Sequence, residues 1–289
     1  MNPKKLAKLN MVISMAAFGT LSIFVRNIPL ASGELALYRA ILAILLVAGF
    51  LAVTKNPIPL REVKKEIPLL LFSGAAMAIN WILLFEAYKY TTVSLATLSY
   101  YFAPIIVIIA CPILFKEKMT KKGLLCFIMS TLGVVMIIGV SGFGQSGTDL
   151  LGICFGLGAA SFYATVILIN KFIKNVSGLH RTLMQFLAAI ITLTPYVIAT
   201  SGFHIMELSS FSLLNLAIVG LFHTGITYCM YFSALKELSG QEASILSYID
   251  PVLAVLISVL FFHEAMTILQ ILGGLLVLGF SLYNELGNK

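Results

Sequence analysis

The chain has 289 residues, of which 60% are hydrophobic and 11% are charged. A soluble globular domain carries about 25% charged residues, so this composition excludes a soluble fold and indicates a protein surrounded by lipid. The formal net charge of +7 is explained by the excess of lysine and arginine in the cytoplasmic loops of membrane proteins, and no nucleic-acid partner is expected.

Apolar segments follow one another along the chain, each near the roughly 20 residues that a helix needs to cross a bilayer. The connections are short, and none is long enough for a soluble domain. The sequence therefore predicts an all-α integral membrane protein with ten transmembrane helices. The predicted segments are 8–26, 33–53, 66–88, 92–115, 122–141, 149–173, 179–201, 211–235, 239–262 and 266–285.

The basic residues predict the orientation. With the N-terminus inside, sixteen of the 19 lysines and arginines fall in inner loops or at inner helix ends. Arg26 and Lys89 fall outside, and Arg39 lies within the second helix. Cytoplasmic loops are enriched in basic residues, so the bias predicts a multi-pass protein of the cytoplasmic (inner) membrane with both termini in the cytoplasm.

The two halves of the chain repeat each other. The stretch "LSYYFAP" at 98–104 resembles "LSYIDP" at 246–251. An offset of 147 residues pairs further positions, and an offset of 145 pairs earlier ones. The pairs are Phe85 with Phe232, Lys89 with Lys236, Tyr101 with Tyr248, Pro104 with Pro251, Glu117 with Glu264, and, at the shorter offset, Arg26 with Lys171.

A repeat of five helices has a consequence for topology. Because five is odd, the second copy crosses the membrane upside down relative to the first. The sequence thus predicts two inverted five-helix repeats, 1–145 and 146–289, that form one membrane transport domain. Inverted repeats are typical of secondary transporters, whose substrate site lies near the midplane between the repeats.

Three stretches resemble the drug/metabolite transporter superfamily, and within it the EamA-type transporters. They are "GELALYRAILAILLV" at 33–47, "EAYKYTTVSLATLSYYFAPIIVIIACPILFKEKMT" at 86–120 and "ALKELSGQEASILSYIDPVLAVLISVLFFHEAMTILQILGGLLVLG" at 234–279. The resemblance implies ten helices in two inverted halves. It also implies a central cavity lined mainly by helices 1–4 and 6–9, with helices 5 and 10 at the periphery. Many relatives export amino acids or other small metabolites, and some import.

The two paired prolines interrupt long apolar runs. Proline removes a backbone donor and clashes with the carbonyl four residues earlier, and in lipid the freed carbonyl must find another partner. Pro104 and Pro251 are therefore predicted to bend helices 4 and 9 around the central path. They act either as hinges or as static kinks.

Asp250 breaks the symmetry of the repeat, because Ala103 stands at the matching position. A charged group at midmembrane is costly and usually faces a partner or water. Two interpretations stay open. Asp250 binds substrate or a coupled proton, with Ser247 on the same helical face as a hydrogen-bond partner, or it forms a structural ion pair with Arg39. The resemblance favours a structural counter-ion role for Arg39. Glu117 and Glu264 fall at a membrane edge, which favours structural roles over substrate binding.

Further candidate ligands are polar residues in apolar helices. Glu86 either faces the cavity or pairs with Lys89 three residues later. Asn80 binds substrate or holds helices together, and His223 is a proton relay or a packing residue. Aromatic side chains, Trp81, Tyr101 and Tyr248 among them, combined with a carboxylate suit an organic cation through cation–π attraction.

The predicted function is a secondary transporter, operating as an exporter by alternating access, for a small polar metabolite such as an amino acid or organic amine. A membrane channel and a membrane-embedded enzyme are the alternatives. The scattered histidines and cysteines give no metal spacing, so no catalytic residue, metal or cofactor is expected. The expected partners are a small-molecule substrate, the lipid bilayer and coupled protons, in a monomer or homodimer.

Overall fold

The computed structural model describes residues 3–55, 59–91, 96, 99–117, 119–138, 147–262 and 267–286. All regular structure in these ranges is helical, which confirms the predicted all-α class. The predicted repeat boundary at 145/146, Glu264 and the C-terminal Lys289 lie outside the described residues.

The helices follow the predicted apolar segments. The first half contains α1 (Pro3–Gly19), α2 (Leu21–Val25), α3 (Ser32–Val53), α4 (Leu60–Tyr90), α5 (Ala103–Phe115) and α6 (Lys121–Ile138). The second half contains α7 (Asp149–Phe172), α8 (Gly178–Thr200), α9 (Ser210–Ile218), α10 (Thr227–Glu237), α11 (Gly240–Ser247), α12 (Ile249–Phe262) and α13 (Ile268–Leu286). A 3-10 turn spans Ile205–Glu207, and a π-helical segment, Val219–Ile226, joins α9 to α10.

Six of these helical stretches are long and apolar enough to cross a membrane. Two shorter apolar helices, Ala103–Phe115 and Ile271–Asn284, accompany them. Large apolar side chains such as Ile113, Leu150 and Ile191 are exposed on the outside of the bundle. Lipid is the solvent that suits such a surface, and the chain is a multi-pass membrane protein. The six stretches are Pro3–Val25, Ser32–Val53, Val63–Tyr90, Asp149–Phe172, Gly178–Thr200 and Ser210–Glu237.

The paired prolines do not kink continuous helices. Pro104 lies in the first turn of α5, after a break at Tyr101 and Phe102. Pro251 lies in the first turn of α12, and Tyr248 separates α12 from α11. The first turn tolerates proline because its N–H groups have no intrahelical acceptor. The predicted bends are therefore helix breaks, and each proline lies in the first turn of the helix that follows its break.

The π-helical segment was not predicted from the sequence. It packs against α3 so closely that a Cβ added at Gly220 would lie 2.5 Å from Leu42 Cδ1. A π turn widens the helix and frees carbonyl groups. Side chains of the segment bind them: Thr224 donates to Val219 O at 2.8 Å, and Thr227 donates to Phe222 O at 2.9 Å.

The core lies between the two halves. α4 packs against α7 and α8, α1 packs against α10 and α12, and α6 packs against α13. The main cluster of buried apolar side chains includes Met11, Met15, Trp81, Phe186, Tyr231 and Phe232. This arrangement places α1, α4, α7 and α10 around one central space.

Arg181 is one of the sixteen basic residues that the charge count assigned to the inner side. It is fully buried within α8. Its guanidinium donates to Val176 O and Asn170 O at 2.9 Å each, and also to Ile173 O. The last carbonyls of a helix have no intrahelical donors, and a cation at that end also suits the helix dipole. Arg181 thus caps the C-terminal end of α7.

Candidate functional site

A cavity of about 290 Å³ lies between the two halves. Most of its wall is aromatic or aliphatic, and among the lining residues that the structure describes only Arg39 and Asp250 carry a full charge. In the described part of the chain, α6 and α13 contribute no lining residue. The lining residues are Met15, Phe18, Leu21, Arg39, Trp81, Leu84, Phe85, Tyr88, Tyr100, Tyr101, Tyr163, Tyr228, Tyr231, Ser247 and Asp250.

The cavity is closed toward one end of the bundle. Met15, Tyr231 and Ser247 form its buried floor. Beyond them toward the N-terminal end of α1, Met11 and Leu235 belong to the closed core. Toward the other end, the lining residues at the end of α4 and at Leu21 are partly exposed. The lining residues at the end of α4 are thus less buried than those of the floor.

Ion pairs join the helices at the closed end. Lys171 Nζ lies 3.3 Å from Glu117 Oε1 and donates to Leu238 O at 2.8 Å. The N–H of Gly240 donates to the same Glu117 oxygen at 3.4 Å. Lys4 Nζ lies 2.9 Å from Glu242 Oε1. These contacts link α1, α5, α7 and α11, and the position of Glu117 agrees with its predicted structural role.

Asp250 lies at the break between α11 and α12, where it faces the cavity. Its Oδ2 accepts a hydrogen bond of 3.0 Å from Tyr101 Oη. Tyr101 lies at the other break, before α5. Within the described residues Asp250 has no lysine or arginine at ion-pair distance, so one tyrosine hydroxyl is its polar partner.

The predicted ion pair between Arg39 and Asp250 is not formed. Arg39 Nε donates to Thr224 Oγ1 at 3.1 Å, and the guanidinium carbon lies 4.9 Å from the centre of the Trp81 ring. Both charged residues line the cavity but face it from different walls, α3 and α12. A π-helical turn, which the sequence did not reveal, brings Thr224 to Arg39 and replaces the expected partner.

Aromatic rings surround the two charges. Tyr100 stacks on Tyr163 with ring centroids 5.3 Å apart, and Tyr231 donates to Tyr163 Oη at 3.2 Å. Tyr228 contacts Trp81 edge to face at 6.3 Å. The predicted association of tyrosines and a tryptophan with a carboxylate is therefore present, with Trp81 and Tyr101 at the cavity surface.

Two residues near Asp250 differ from their predicted roles. Ser247 lines the cavity, but its hydroxyl donates to Ser244 O at 2.7 Å rather than to Asp250. Tyr248 is fully buried and its hydroxyl lies 3.0 Å from Thr131 Oγ1. The helix break turns Tyr248 toward α6, so it lies outside the cavity although its repeat partner Tyr101 lines it.

Glu86 does not reach the central cavity. Its Oε1 lies 2.6 Å from Lys89 Nζ and accepts a hydrogen bond of 2.9 Å from Tyr196 Oη. It lines a separate pocket between the ends of α4 and α8, and Phe85 borders both spaces. The sequence allowed two positions for Glu86, facing the cavity or paired with Lys89, and the structure shows the pair with Lys89.

Asn80 and His223 also lie outside the cavity lining. Asn80 Nδ2 donates to Ala159 O at 2.7 Å, which ties α4 to α7. His223 is buried in the π-helical segment, with Nε2 3.1 Å from Thr20 Oγ1. Both contacts are of the kind that packing residues make. Packing was one of the two roles that the sequence left open for Asn80 and for His223.

Thr224 is the residue that sequence analysis missed. It follows His223 directly, and an α-helical register does not single it out.

No group of three or more histidines, cysteines or carboxylates that could hold a metal occurs in the ranges that the structure describes.

A bilayer-spanning bundle around an aromatic cavity with two opposite charges defines a membrane transporter. The sequence matches the model of the EamA-like transporter family over residues 5–139 and 150–283, and the chain belongs to that family. The two matched ranges correspond to the two halves of the chain. The resemblance seen in the sequence is confirmed.

Curated relatives agree with this assignment. A protein of Bacillus subtilis (strain 168) described as the uncharacterized transporter YxxF is 30% identical over 93% of this chain and 86% of its own. An uncharacterized transporter of Archaeoglobus fulgidus is 26% identical over 92% of each chain. The uncharacterized inner membrane transporter YhbE of Escherichia coli K12 is 24% identical over 87% and 82%. A solved crystal structure shares the fold, with a TM-score of 0.85 over 97% of both chains and 16% identity.

Proposed function

We propose that this chain is a secondary transporter that moves a small amine-bearing metabolite, an amino acid or an organic cation, across the cytoplasmic membrane by alternating access. Asp250 is the residue that binds the ammonium group. The family membership supports transport as the activity, and export is the direction that the resemblance favours.

The observation that carries the proposal is the surroundings of Asp250. Its carboxylate faces a cavity lined by aromatic rings and, in the described part of the chain, has no basic partner within ion-pair distance. A charge inside a membrane protein normally faces a partner or water. An ammonium ion would pair with Asp250 and contact the faces of Tyr100, Tyr101 and Tyr163, which attract cations electrostatically.

The topology belongs to the same proposal. Ten crossings in two inverted repeats, 1–145 and 146–289, with both termini in the cytoplasm, follow from the charge bias and the residue pairs in the sequence. A reporter fused after Lys289 should then be active only in its cytoplasmic form. Activity on the outer side would overturn the orientation.

Alternating access is supported by the difference between the two ends of the cavity. The end that holds Lys171, Glu117 and Glu242 is closed by ion pairs and packed side chains, and with the proposed orientation this end is cytoplasmic. A carrier that faces outward must break such contacts to face inward. In a chain that carries Ser247→Cys at the floor of the cavity, Lys171→Gln should therefore increase the access of a cysteine reagent to that position from the cytoplasmic side.

Reconstitution into liposomes tests the function. A panel of amines and amino acids is measured in counterflow, because a carrier saturates and exchanges, a channel conducts without exchange, and an enzyme consumes its substrate. Asp250→Asn keeps the shape of the side chain and should lose transport of the active compounds. Glu207→Gln removes a carboxylate from the turn after α8 and is the matched control that should transport normally.

Equal activity of Asp250→Asn and wild type would contradict the role of Asp250. A proton-coupled carrier would in addition lose its pH dependence in this variant. Flux that does not saturate with substrate concentration would favour the channel alternative. Transport without counterflow would exclude an exchange mechanism.

A further inference from the structure

Arg39 is the second charged group among the described lining residues of the cavity, and within those residues its terminal amino groups have no hydrogen-bond partner. Only 7% of the residue is exposed. Its Nε donates to Thr224, and Trp81 lies beside the guanidinium. Within the described residues the terminal amino groups form no hydrogen bond and no ion pair, and Arg39 is one of the residues that line the cavity.

A buried guanidinium without an anion is costly in a membrane. Arginine stays protonated under all ordinary conditions, so it cannot avoid the cost by losing its proton. Charged side chains in membrane helices therefore face a partner, water or a substrate path. Asp250 is not at ion-pair distance, so an anion that entered the cavity would meet a guanidinium that has no carboxylate partner among the described residues.

The π-helical segment fixes the direction of the guanidinium. Thr224 donates its own proton to Val219 O, a carbonyl that the wide turn makes available, and its oxygen is then an acceptor for Arg39 Nε. This contact occupies the Nε edge and leaves the terminal amino groups free. Their planar arrangement fits a carboxylate with two parallel hydrogen bonds.

We propose that Arg39 binds the carboxylate of the transported molecule and that Thr224 is the positioning residue for Arg39. The proposal rests on the proposed function. The substrate is then a zwitterion, with its ammonium group at Asp250 and its carboxylate at Arg39. The charges of the two residues cancel, so a molecule with one charge of each sign leaves the occupied site neutral, whereas a phosphate would face repulsion from Asp250.

Matched pairs of compounds test this inference. Leucine is compared with isoamylamine, and phenylalanine with phenethylamine, because each amine lacks only the carboxylate. Dissociation constants are measured with purified protein by thermal stabilisation and by competition in counterflow. Wild type should bind the amino acid about tenfold or more tightly than its amine, since a hydrogen bond to a charged group contributes an amount of that order.

Arg39→Gln should remove this preference and leave the affinity for the amine within about twofold of wild type. Thr224→Val should reduce the preference in the same direction, and Thr224→Ser, which keeps the hydroxyl, should retain it. Thr227→Val is the matched control: Thr227 lies in the adjoining turn and binds a carbonyl five residues earlier, as Thr224 does, but does not contact Arg39. It should leave the preference unchanged.

The outcomes separate the two proposals. The role of Arg39 would be overturned if wild type bound each amine as tightly as its amino acid. It would also be overturned if Arg39→Gln lost affinity for both compounds equally. In either case the proposed transport of amines would stand. Failure of every amine-bearing compound to bind wild type would overturn the proposed function itself. If Arg39→Gln does not fold, the three threonine variants provide the test. An equal preference for the amino acid over its amine in Thr224→Val and Thr227→Val would contradict the positioning role of Thr224.

Discussion

The two helix breaks have nearly the same sequence and different functions. "LSYYFAP" places Tyr101 at the cavity, and "LSYIDP" places Asp250 there. Tyr101 donates to Asp250, so the breaks contact each other across the two halves. A carrier binds one substrate rather than two symmetric copies. The duplicated break therefore supplies a common geometry, and a single charged residue makes one half of the site different from the other.

The tyrosines of the two breaks show the same divergence. Tyr101 and Tyr248 match in the repeat, and their ring centroids lie 6.4 Å apart. Tyr101 lines the cavity, whereas Tyr248 is buried against Thr131 in α6. One member of the pair contacts the proposed substrate site, and the other holds α11 and α12 against the peripheral helix pair.

The largest effect is expected when the missing charge is added to the first break. Ala103 matches Asp250 in the repeat but is fully buried. Ala103→Asp would place a carboxylate among packed side chains without an aqueous path, at a cost of roughly 3 kcal/mol or more. We expect loss of the monodisperse folded protein in size-exclusion chromatography, whereas Asp250→Asn elutes as wild type. A well-folded Ala103→Asp variant would show that the two breaks are interchangeable.

A smaller effect is expected from removing one hydroxyl at each break. Tyr101→Phe deletes the hydrogen bond to Asp250 and should weaken substrate binding by about tenfold, because the bond involves a charged acceptor. Tyr248→Phe deletes the contact with Thr131 and should lower the free energy of unfolding by about 1 kcal/mol without changing binding. Titration of the two variants with the same substrate compares them directly, and equal affinities would contradict the division of roles.

The smallest effect on stability is expected at the prolines. Pro104→Ala and Pro251→Ala each restore a backbone donor in the first turn of a helix and should change the free energy of unfolding by no more than about 1 kcal/mol. If the breaks absorb the backbone rotation between the outward- and inward-facing states, the transport rate should fall more than the binding affinity. Unchanged rates in both variants would assign the breaks a static role.

Much of the fold could be predicted from the sequence because lipid imposes a simple rule. A helix that satisfies its own backbone is the natural way to cross the bilayer, so apolar length alone located the helical segments. The paired prolines located both breaks, and the isolated aspartate located the cavity. Each of these signals is local, or is a property of one residue type.

The rest depended on contacts that are distant in the sequence. The π-helical segment arises where Gly220 meets Leu42 of α3, and it moves Thr224 onto Arg39. The direction of Tyr248 depends on how far α12 turns relative to α11. Asn80 was ambiguous because its partner is a backbone carbonyl, that of Ala159, and backbone acceptors leave no mark in a sequence pattern.

The most direct test of the central claim is the binding affinity of one amine substrate for three proteins: wild type, Asp250→Asn, and the double variant Asp250→Asn with Arg39→Gln. If Asp250 binds the ammonium group, the single variant folds as wild type and loses about tenfold or more in affinity, and the double variant does not recover it. If Asp250 serves only to offset the charge of Arg39 across the cavity, the single variant is destabilised because the buried positive charge of Arg39 is no longer balanced. Recovery of both stability and binding in the double variant would then contradict the claim.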